Sequence, residues 1–387
     1  MISAWPYYSE EEINKVSNVL RSGLVNRWTG EITESFENEF ANFFKLKNAI
    51  TIANGTLSLE AAYECLELKD GDEIITTPRS FIATASAAVL KGARVLFADV
   101  DQNSGCITSK SIEPLISSKT RAITVVHLGG WPADIKEIAA LAECNQIKLI
   151  EDCSQAHGAK YEGEYVGTFS DIATWSFCND KIISTGGEGG MISTKDLDYY
   201  KRIWSYRDHG KNKRLVEEIN QNSKFNWLHS DFGSNMRLTE LQSAIGSIQL
   251  KKLEDWIKTR TRNALIFIKY LSKISTVRVP IPSEKSQSAW YKFYCYVKPE
   301  ALKEEWSRDR IIKEINSLGY PAYSGSCSEI YLEKCFQEYG CNTENRLEVA
   351  KELGETSIML LVHPTITDNE IHNYANVVSK VLKLAKR

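Results

Sequence analysis

The chain is short of nearly every pattern that would reveal its role at a glance. Its charges almost cancel, with 47 Lys and Arg against 50 Asp and Glu for a formal −3. That balance gives no electrostatic case for nucleic acid or an anionic membrane surface. No apolar run approaches the ~20 residues needed to span a bilayer. The opening MISAWPYYSEEEINK lacks the basic-then-apolar layout of a secretory signal. Cysteine is present but unorganised: nine residues, an odd number, with no C-x-x-C pair. A disulfide framework and a zinc site are both disfavoured, and reduced, mostly buried thiols in a cytoplasmic protein are expected. The chain also lacks the Lys-Ser/Thr of a P-loop, a helix-opening G-x-G-x-x-G after the first strand signal, H-E-x-x-H and G-x-S-x-G. Phosphate-loop hydrolysis, dinucleotide binding, zinc proteolysis and serine hydrolysis therefore lose their usual signatures.

What remains is an ordinary globular mix, 43% hydrophobic and 25% charged in 387 residues, enough for two domains. Ser9-Glu10-Glu11-Glu12 predicts a capping box and a helix ending near Ser22-Gly23, and ESFENEFANFF predicts a second helix. Strand and helix signals then alternate. LSLEAAYECL, FIATASAAVLKG and DIKEIAALAECN read as helices. DEIITT, ARVLFADV, RAITVVHL, KLIEDC, DIATWSF and GGMIST read as strands. Short β-branched runs separated by helices predict an α/β fold with a mostly parallel sheet covered on both faces. After Asn235 the pattern changes to a long helical stretch, RLTELQSAIGSIQLKKLEDWIKTRTRNALIFIKYLSKI, expected to bend or break once. VRVPIP and WYKFYCYV follow as strands, then helices in KEEWSRDRIIKEINSLG and NEIHNYANVVSKVLKLAKR. The expected division is a large domain over residues 1–250 and a smaller α+β domain over 251–387. The charged stretch from Asp208 to Lys224 is expected as an exposed loop or helix.

Ligands of open α/β sheets sit beyond the carboxyl ends of the strands. KLIEDCSQAHG puts Asp152 at such an end, followed by Gln155 and His157. Asp152 can hold a cationic ligand atom or cap a following helix. TIANGTLSLEAAYECL places Gly55-Thr56 at a helix start, where free N–H groups suit an anion such as phosphate, although ordinary helix starts use the same residues. WSFCNDKIISTGGEGGM sets Ser176 and Lys181 between a strand and a glycine-dense loop. A lysine for an imine, a carboxylate for a protonated ring nitrogen and donors for a phosphate together suit pyridoxal phosphate (PLP).

SFCNDKIISTGGEGGMIST resembles the lysine segment of the DegT/DnrJ/StrS sugar aminotransferases, fold-type I PLP enzymes with a Ser-Phe-x-x-x-Lys before a Gly-Glu-Gly-Gly turn. SGLVNRWTGEITESFENEFANFF, NGTLSLEAA, TPRSFIATASAAV, VVHLGGWPADI, EDCSQAHGA and GSNMRLTELQSAIGSIQLKKL are similar to further family blocks, in the family's order. The resemblance implies that Lys181 is the Schiff-base lysine and proton shuttle and that Asp152 pairs with the pyridine nitrogen. It implies Gln155 at the ring hydroxyl, Phe81 on the ring face, and Gly55, Thr56 and Ser176 at the phosphate. Asn235 is implied to reach the phosphate of a neighbouring subunit, making the active unit a homodimer. His157 is expected to orient the ring-side network rather than act as the base.

The implied activity moves an amino group from L-glutamate to an oxo-sugar for cell-surface polysaccharide or lipopolysaccharide synthesis. The Cys-Asn-Asp-Lys-Ile segment, the doubled glycines and YSGSCSEIYLEKCF resemble a subgroup that includes the enzyme making 8-amino-3,8-dideoxy-manno-octulosonate (Kdo8N), whose acceptor carries no nucleotide. A nucleotide-linked 4-keto or 3-keto sugar is the alternative acceptor. Dehydratase relatives carry histidine in place of the lysine, which Lys181 argues against, and a non-catalytic regulator would have no need of Lys181, Asp152 and Gln155 together. Candidate substrate contacts are Arg27, Trp28, His209, Tyr323, Ser326 and His363; Arg27 and Trp28 could equally pack the N-terminal segment, and His363 could satisfy a strand end. No metal is expected.

Overall fold

The short β-branched runs become β1 (Ile50–Ile52), β2 (Glu73–Thr76), β3 (Arg94–Phe97), β4 (Thr120–Val126) and β5 (Lys148–Asp152). A short hairpin, β6 (Lys160–Tyr161) and β7 (Glu164–Tyr165), precedes β8 (Ile172–Ser176) and β9 (Gly190–Thr194). The remaining strands are β10 (Val277–Arg278), β11 (Ser286–Gln287), β12 (Phe293–Val297), β13 (Ala322–Tyr323) and β14 (Ser357–Leu360). The computed structural model describes residues 2–218, 227–340 and 346–387. Residues 219–224 of the expected exposed stretch lie outside them; Lys213–Glu218 is helical.

The larger sheet has the order β1-β9-β8-β5-β4-β2-β3. All its neighbours pair parallel except β9, which runs antiparallel to both β1 and β8. The chain returns from β8 to β9 without a crossover helix, and a return that direct can only pair antiparallel. Consequently β1, β2, β4, β5 and β8 end along one edge, where β9 begins. Side chains alternate across the sheet as the pleat requires. Ile74 and Ile192 pack with the helices Gly55–Glu64 and Ala83–Leu90. Ile75 faces the opposite layer with the helix Ile135–Cys144, and Met191 faces it with Phe36 and Phe40 of the helix Ile32–Phe44. The expected mostly parallel sheet with helices on both faces is the observed one.

The helix Glu240–Leu271 runs 32 residues without the expected break. Its glycine, Gly246, does not interrupt it but admits the neighbouring helix: a Cβ there would meet the Phe36 ring at 2.6 Å. The helix passes through the expected boundary at 250, and its later residues Ala264, Phe267 and Leu271 join a separate apolar cluster reaching Ala385. That cluster surrounds an antiparallel sheet, β10-β12-β14-β13, and the helices Arg308–Ser317 and Asp368–Leu384. The capping box at Ser9 and Glu12 opens the helix Glu10–Ser22 as expected. Among the described cysteines, Cys65, Cys106, Cys153 and Cys295 are buried, whereas Cys144, Cys327 and Cys335 are exposed. Burial of the thiols is thus less general than their apolar character suggests. No helix among the described residues is long and apolar enough to cross a membrane.

Two polar groups are sunk into this scaffold at the site edge. Glu151 of β5 accepts from the N–H groups of Gly167, Phe169 and Ser170 and pairs with His127 Nε2 at 3.1 Å. Burial would raise its carboxyl, but the His127 contact and the backbone donors outweigh it and hold the group below its ordinary value. His157 is fully buried beside Phe177, at 5.6 Å between rings, and neither ring nitrogen has a partner. Burial, with Lys181 and Arg260 nearby, pushes it down to about 3. The folded protein therefore keeps His157 neutral where an unfolded histidine, titrating near ~6.5, takes up a proton. Its contribution to stability is complete above that value and is lost as the pH falls toward 3. Urea midpoints are expected to drop between about pH 7 and about pH 4, and His157→Asn is expected to flatten that slope. Equal slopes for the two proteins would contradict a buried, neutral imidazole.

Candidate active site

The strand ends converge on a cavity of about 930 Å³. Asp152, the last residue of β5, is buried there, with Oδ2 accepting from Thr84 Oγ1 at 2.8 Å and Oδ1 from the Ser154 N–H at 3.1 Å. No α-helix follows it, so the alternative of a helix cap is not what the fold uses. The carboxylate is instead fixed and aimed into the cavity. Gln155 lines the same wall; its Oε1 accepts from the Gly129 N–H at 2.8 Å, which leaves its amide N–H groups for another acceptor.

Across the cavity the helix Gly55–Glu64 presents its N-terminus. Asn54 caps it by accepting from the Leu57 N–H at 2.9 Å, while the N–H groups of Gly55 and Thr56 have no acceptor among the described residues. Gly55 lies so close to β8 that a Cβ would meet the Ser176 Cβ at 2.6 Å and its Oγ at 3.0 Å. Two open N–H groups, a threonine and a serine at a helix start form an anion cradle. Phe81, 67% exposed, sits on the rim with its ring uncovered. Lys181 lies on the same cavity wall, in a turn whose own carbonyl accepts from Trp5 Nε1 at 3.0 Å.

A second group of residues surrounds that lysine, and the sequence did not announce it. Lys181 Nζ is 4.8 Å from the centre of the Tyr291 ring, and Lys292 Nζ is 4.6 Å from it. The Tyr291 hydroxyl donates to Asp180 Oδ2 at 2.6 Å, and Lys292 pairs with the same oxygen at 3.2 Å. Against its burial, Lys292, the Tyr291 hydrogen bond and Lys181 hold the Asp180 carboxyl below its ordinary value, whereas burial pushes the Tyr291 hydroxyl well up. The only signals in the sequence were the acid beside the lysine in CNDK and the lysine in WYKFY, 111 residues apart at the hydrogen-bonded pair.

The expected substrate residues divide. Ser326 lines the cavity and exchanges hydrogen bonds with the Tyr294 hydroxyl, its Oγ at 3.2 Å. Arg27 pairs with buried Glu37 at 3.3 Å, and Trp28 Nε1 donates to Asp208 Oδ2 at 2.6 Å; both fasten the N-terminal segment. His363 is buried, bound to Thr365 Oγ1 at 2.8 Å and stacked on Trp5. His209, Tyr323 and Asn235 are exposed and lie outside the cavity of their own chain. Asn235 forms a β-bridge with Asp208.

PLP fits these residues: a buried carboxylate, a cradle that a single added Cβ would fill and a lysine line one cavity. Comparison with known proteins agrees. The model of the DegT/DnrJ/EryC1/StrS aminotransferase family matches residues 6–381. GDP-perosamine synthase of Escherichia coli O157:H7 is 31% identical over 372 residues, covering 95% of either chain. The solved aminotransferase from Psychrobacter cryohalolentis is 47% identical, with a TM-score of 0.97 over 100% of both chains. The E. coli GDP-4-keto-6-deoxy-D-mannose-3-dehydratase, solved with bound hydrated PLP, is 27% identical, with a TM-score of 0.87 over 99% of this chain and 100% of that one. The chain accordingly belongs to the DegT/DnrJ/EryC1/StrS family and is a fold-type I, PLP-dependent aminotransferase.

Proposed function

We propose that this aminotransferase takes its amino group from L-glutamate and delivers it to an oxo-sugar destined for a cell-surface polysaccharide or lipopolysaccharide. The observation that carries this reading is the meeting of Lys181, Asp152 and the Gly55–Thr56 cradle in one cavity. Bound PLP supplies an electrophilic carbon for the amino group and a protonated ring that takes up the electron pair left when a Cα–H bond breaks. The protein's part is to hold and to move protons. Lys181 Nζ would hold the cofactor and, once the amino donor has displaced it, would carry the proton from Cα to the cofactor's reactive carbon. Asp152, anchored by Thr84, would set its carboxylate against the ring nitrogen and so keep the ring protonated. Gly55, Thr56 and Ser176 would hold the phosphate, the Gln155 amide would face the ring hydroxyl and Phe81 would cover the ring. His157 is not the base in this reading, because both its nitrogens are buried and burial pushes it down to about 3, which leaves it too weakly basic to take a proton from carbon.

The active unit in this reading is a homodimer. Asn235 stands outside its own cavity, and the neighbouring Phe232 is 96% exposed, as expected of a segment that reaches a second copy. The division at residue 250 belongs to the same proposal. As acceptor, a nucleotide-linked keto-sugar is supported by GDP-perosamine synthase among the relatives. A free oxo-sugar acid such as 8-oxo-Kdo, giving Kdo8N, is the second reading and is supported by the YSGSCSEIYLEKCF segment, which brings Ser326 to the cavity.

A panel of keto-sugars, with and without a nucleotide, incubated with L-glutamate is expected to yield one aminated sugar and 2-oxoglutarate; glutamate consumed with no nitrogen in any sugar would defeat the proposal. Lys181→Ala is expected to cut the transfer by at least ~10²-fold and to abolish the visible absorbance of the lysine-bound cofactor. In Gly55→Ala the added Cβ forces Ser176 and the helix start apart, so PLP affinity should fall by about tenfold to a hundredfold, the worth of one charge-assisted hydrogen bond. Unchanged affinity by equilibrium titration would place the phosphate elsewhere.

A further inference from the structure

Two cations face the Tyr291 ring and a third binds the backbone that carries it. The ammonium groups of Lys181 and Lys292 lie 4.8 and 4.6 Å from its centre. Behind it, Arg260 of the long helix donates to the Trp290 and Tyr291 carbonyls at 3.3 and 3.2 Å. Arg260 is fully buried, its guanidinium 5.2 Å from the centre of the Trp5 ring, and its Nε and Nη2 have no hydrogen-bond partner among the described residues. Like charges this close raise the free energy of any one of them being protonated. The carboxylate in contact with this group is Asp180, whose Oδ2 takes both the Tyr291 hydroxyl and the Lys292 ammonium. The Asp180 side chain is half-exposed and lines the cavity, while Lys292 is 12% exposed. A tyrosine that donates to a carboxylate is also fixed in rotation, so its face stays turned to Lys181.

We propose that Asp180 is a positioning residue for Lys181: it locks the Tyr291 ring that seats the lysine and supplies the counter-charge to Lys292, the second ammonium against that ring. This rests on Lys181 being the amine that holds PLP. The role differs from that of Asp152, whose carboxylate is bound by Thr84 and the Ser154 N–H and touches none of these cations. The other ionisable groups facing Lys181 do not perform it. Cys178 and Glu188 on its own segment contact each other at 3.9 Å, and His157 below it is held neutral, pushed down to about 3. Burial and the same cations push His363 beyond Lys292 down to about 3 as well.

The consequence is a sign pattern that a purely structural residue would not give. Removing the Asp180 charge leaves Lys292 uncompensated and disfavours the protonated lysine-bound cofactor; removing Lys292 does the reverse. In absorbance titrations of the full-length, PLP-loaded protein, Asp180→Asn is expected to lower the midpoint by about one pH unit and Lys292→Met to raise it. The double variant, which loses both charges, is expected to return to within a few tenths of a unit of the parent midpoint. In cofactor-free protein, acylation of Lys181 followed by mass spectrometry should show its reactivity moving to lower pH in Asp180→Asn. A midpoint unmoved in the single variants, or a double variant as displaced as Asp180→Asn, overturns the proposal. Should Asp180→Asn fail to fold, Lys292→Met alone decides it, since a midpoint that stays or falls contradicts the charge balance. Absence of any Lys181-dependent absorbance in the parent protein would instead sink the assignment of Lys181 itself.

Discussion

Between Ser176 and Gly190 the chain leaves the sheet and comes back antiparallel, and the site depends on that reversal. Ser176 pairs with Gly190 in the ladder, so everything between them is held at the edge where the parallel strands end. Lys181 is therefore delivered to the cavity by strand pairing at both ends of its loop. The Gly55 helix start packs against the same ladder, because Gly190 lies so near Asn54 that a Cβ would meet its carbonyl at 2.6 Å. One short reversal thus sets the lysine, the anion cradle and Ser176 in register, while β5 brings Asp152 alongside through parallel pairing with β8.

Away from Arg260, two buried carboxylates near the N-terminal segment are answered by opposite ions, as their desolvation demands. Glu37 is met by Arg27 and Arg207, and Asp208 by Lys211 and Arg237. Burial would raise the Glu37 carboxyl, yet its two arginines hold it low. These clusters tie the N-terminal segment to the helix Leu197–Arg207, so Arg27 and Trp28 act on the site through architecture. Lys181 and Asp180 differ in opening to the cavity, where a protonation change can be used.

Much of this could be read from the chain before any coordinates. The alternation of β-branched runs and helices gave the sheet, and the residues at the ends of KLIED, TIANG and WSF proved to line one cavity because strand ends of a parallel sheet share an edge. Periodicity did not reveal the unbroken helix Glu240–Leu271, since Gly246 looks like a weak point until Phe36 is seen packed against it. The strand Ser357–Leu360 went unnoticed because its residues lack a distinctive alternation and form a strand only by pairing with Phe293–Val297 and Ala322–Tyr323. Asp180, Tyr291 and Lys292 form a unit solely through tertiary contact, which no local pattern encodes. Of the residues expected at the substrate, Ser326 alone faces its own chain's cavity; His363 is occupied by Thr365, and Trp28 by Asp208.

The central claim is that one particular ε-amino group, chosen by the β8–β9 reversal, bonds the cofactor. Lys292 lies against the same tyrosine ring and is the natural rival. Borohydride reduction of the PLP-loaded protein, followed by peptide mass spectrometry, distinguishes them directly. The account predicts the reduced cofactor's mass on the peptide carrying Lys181 and on no other. Attachment at Lys292, or at any other lysine, would contradict it.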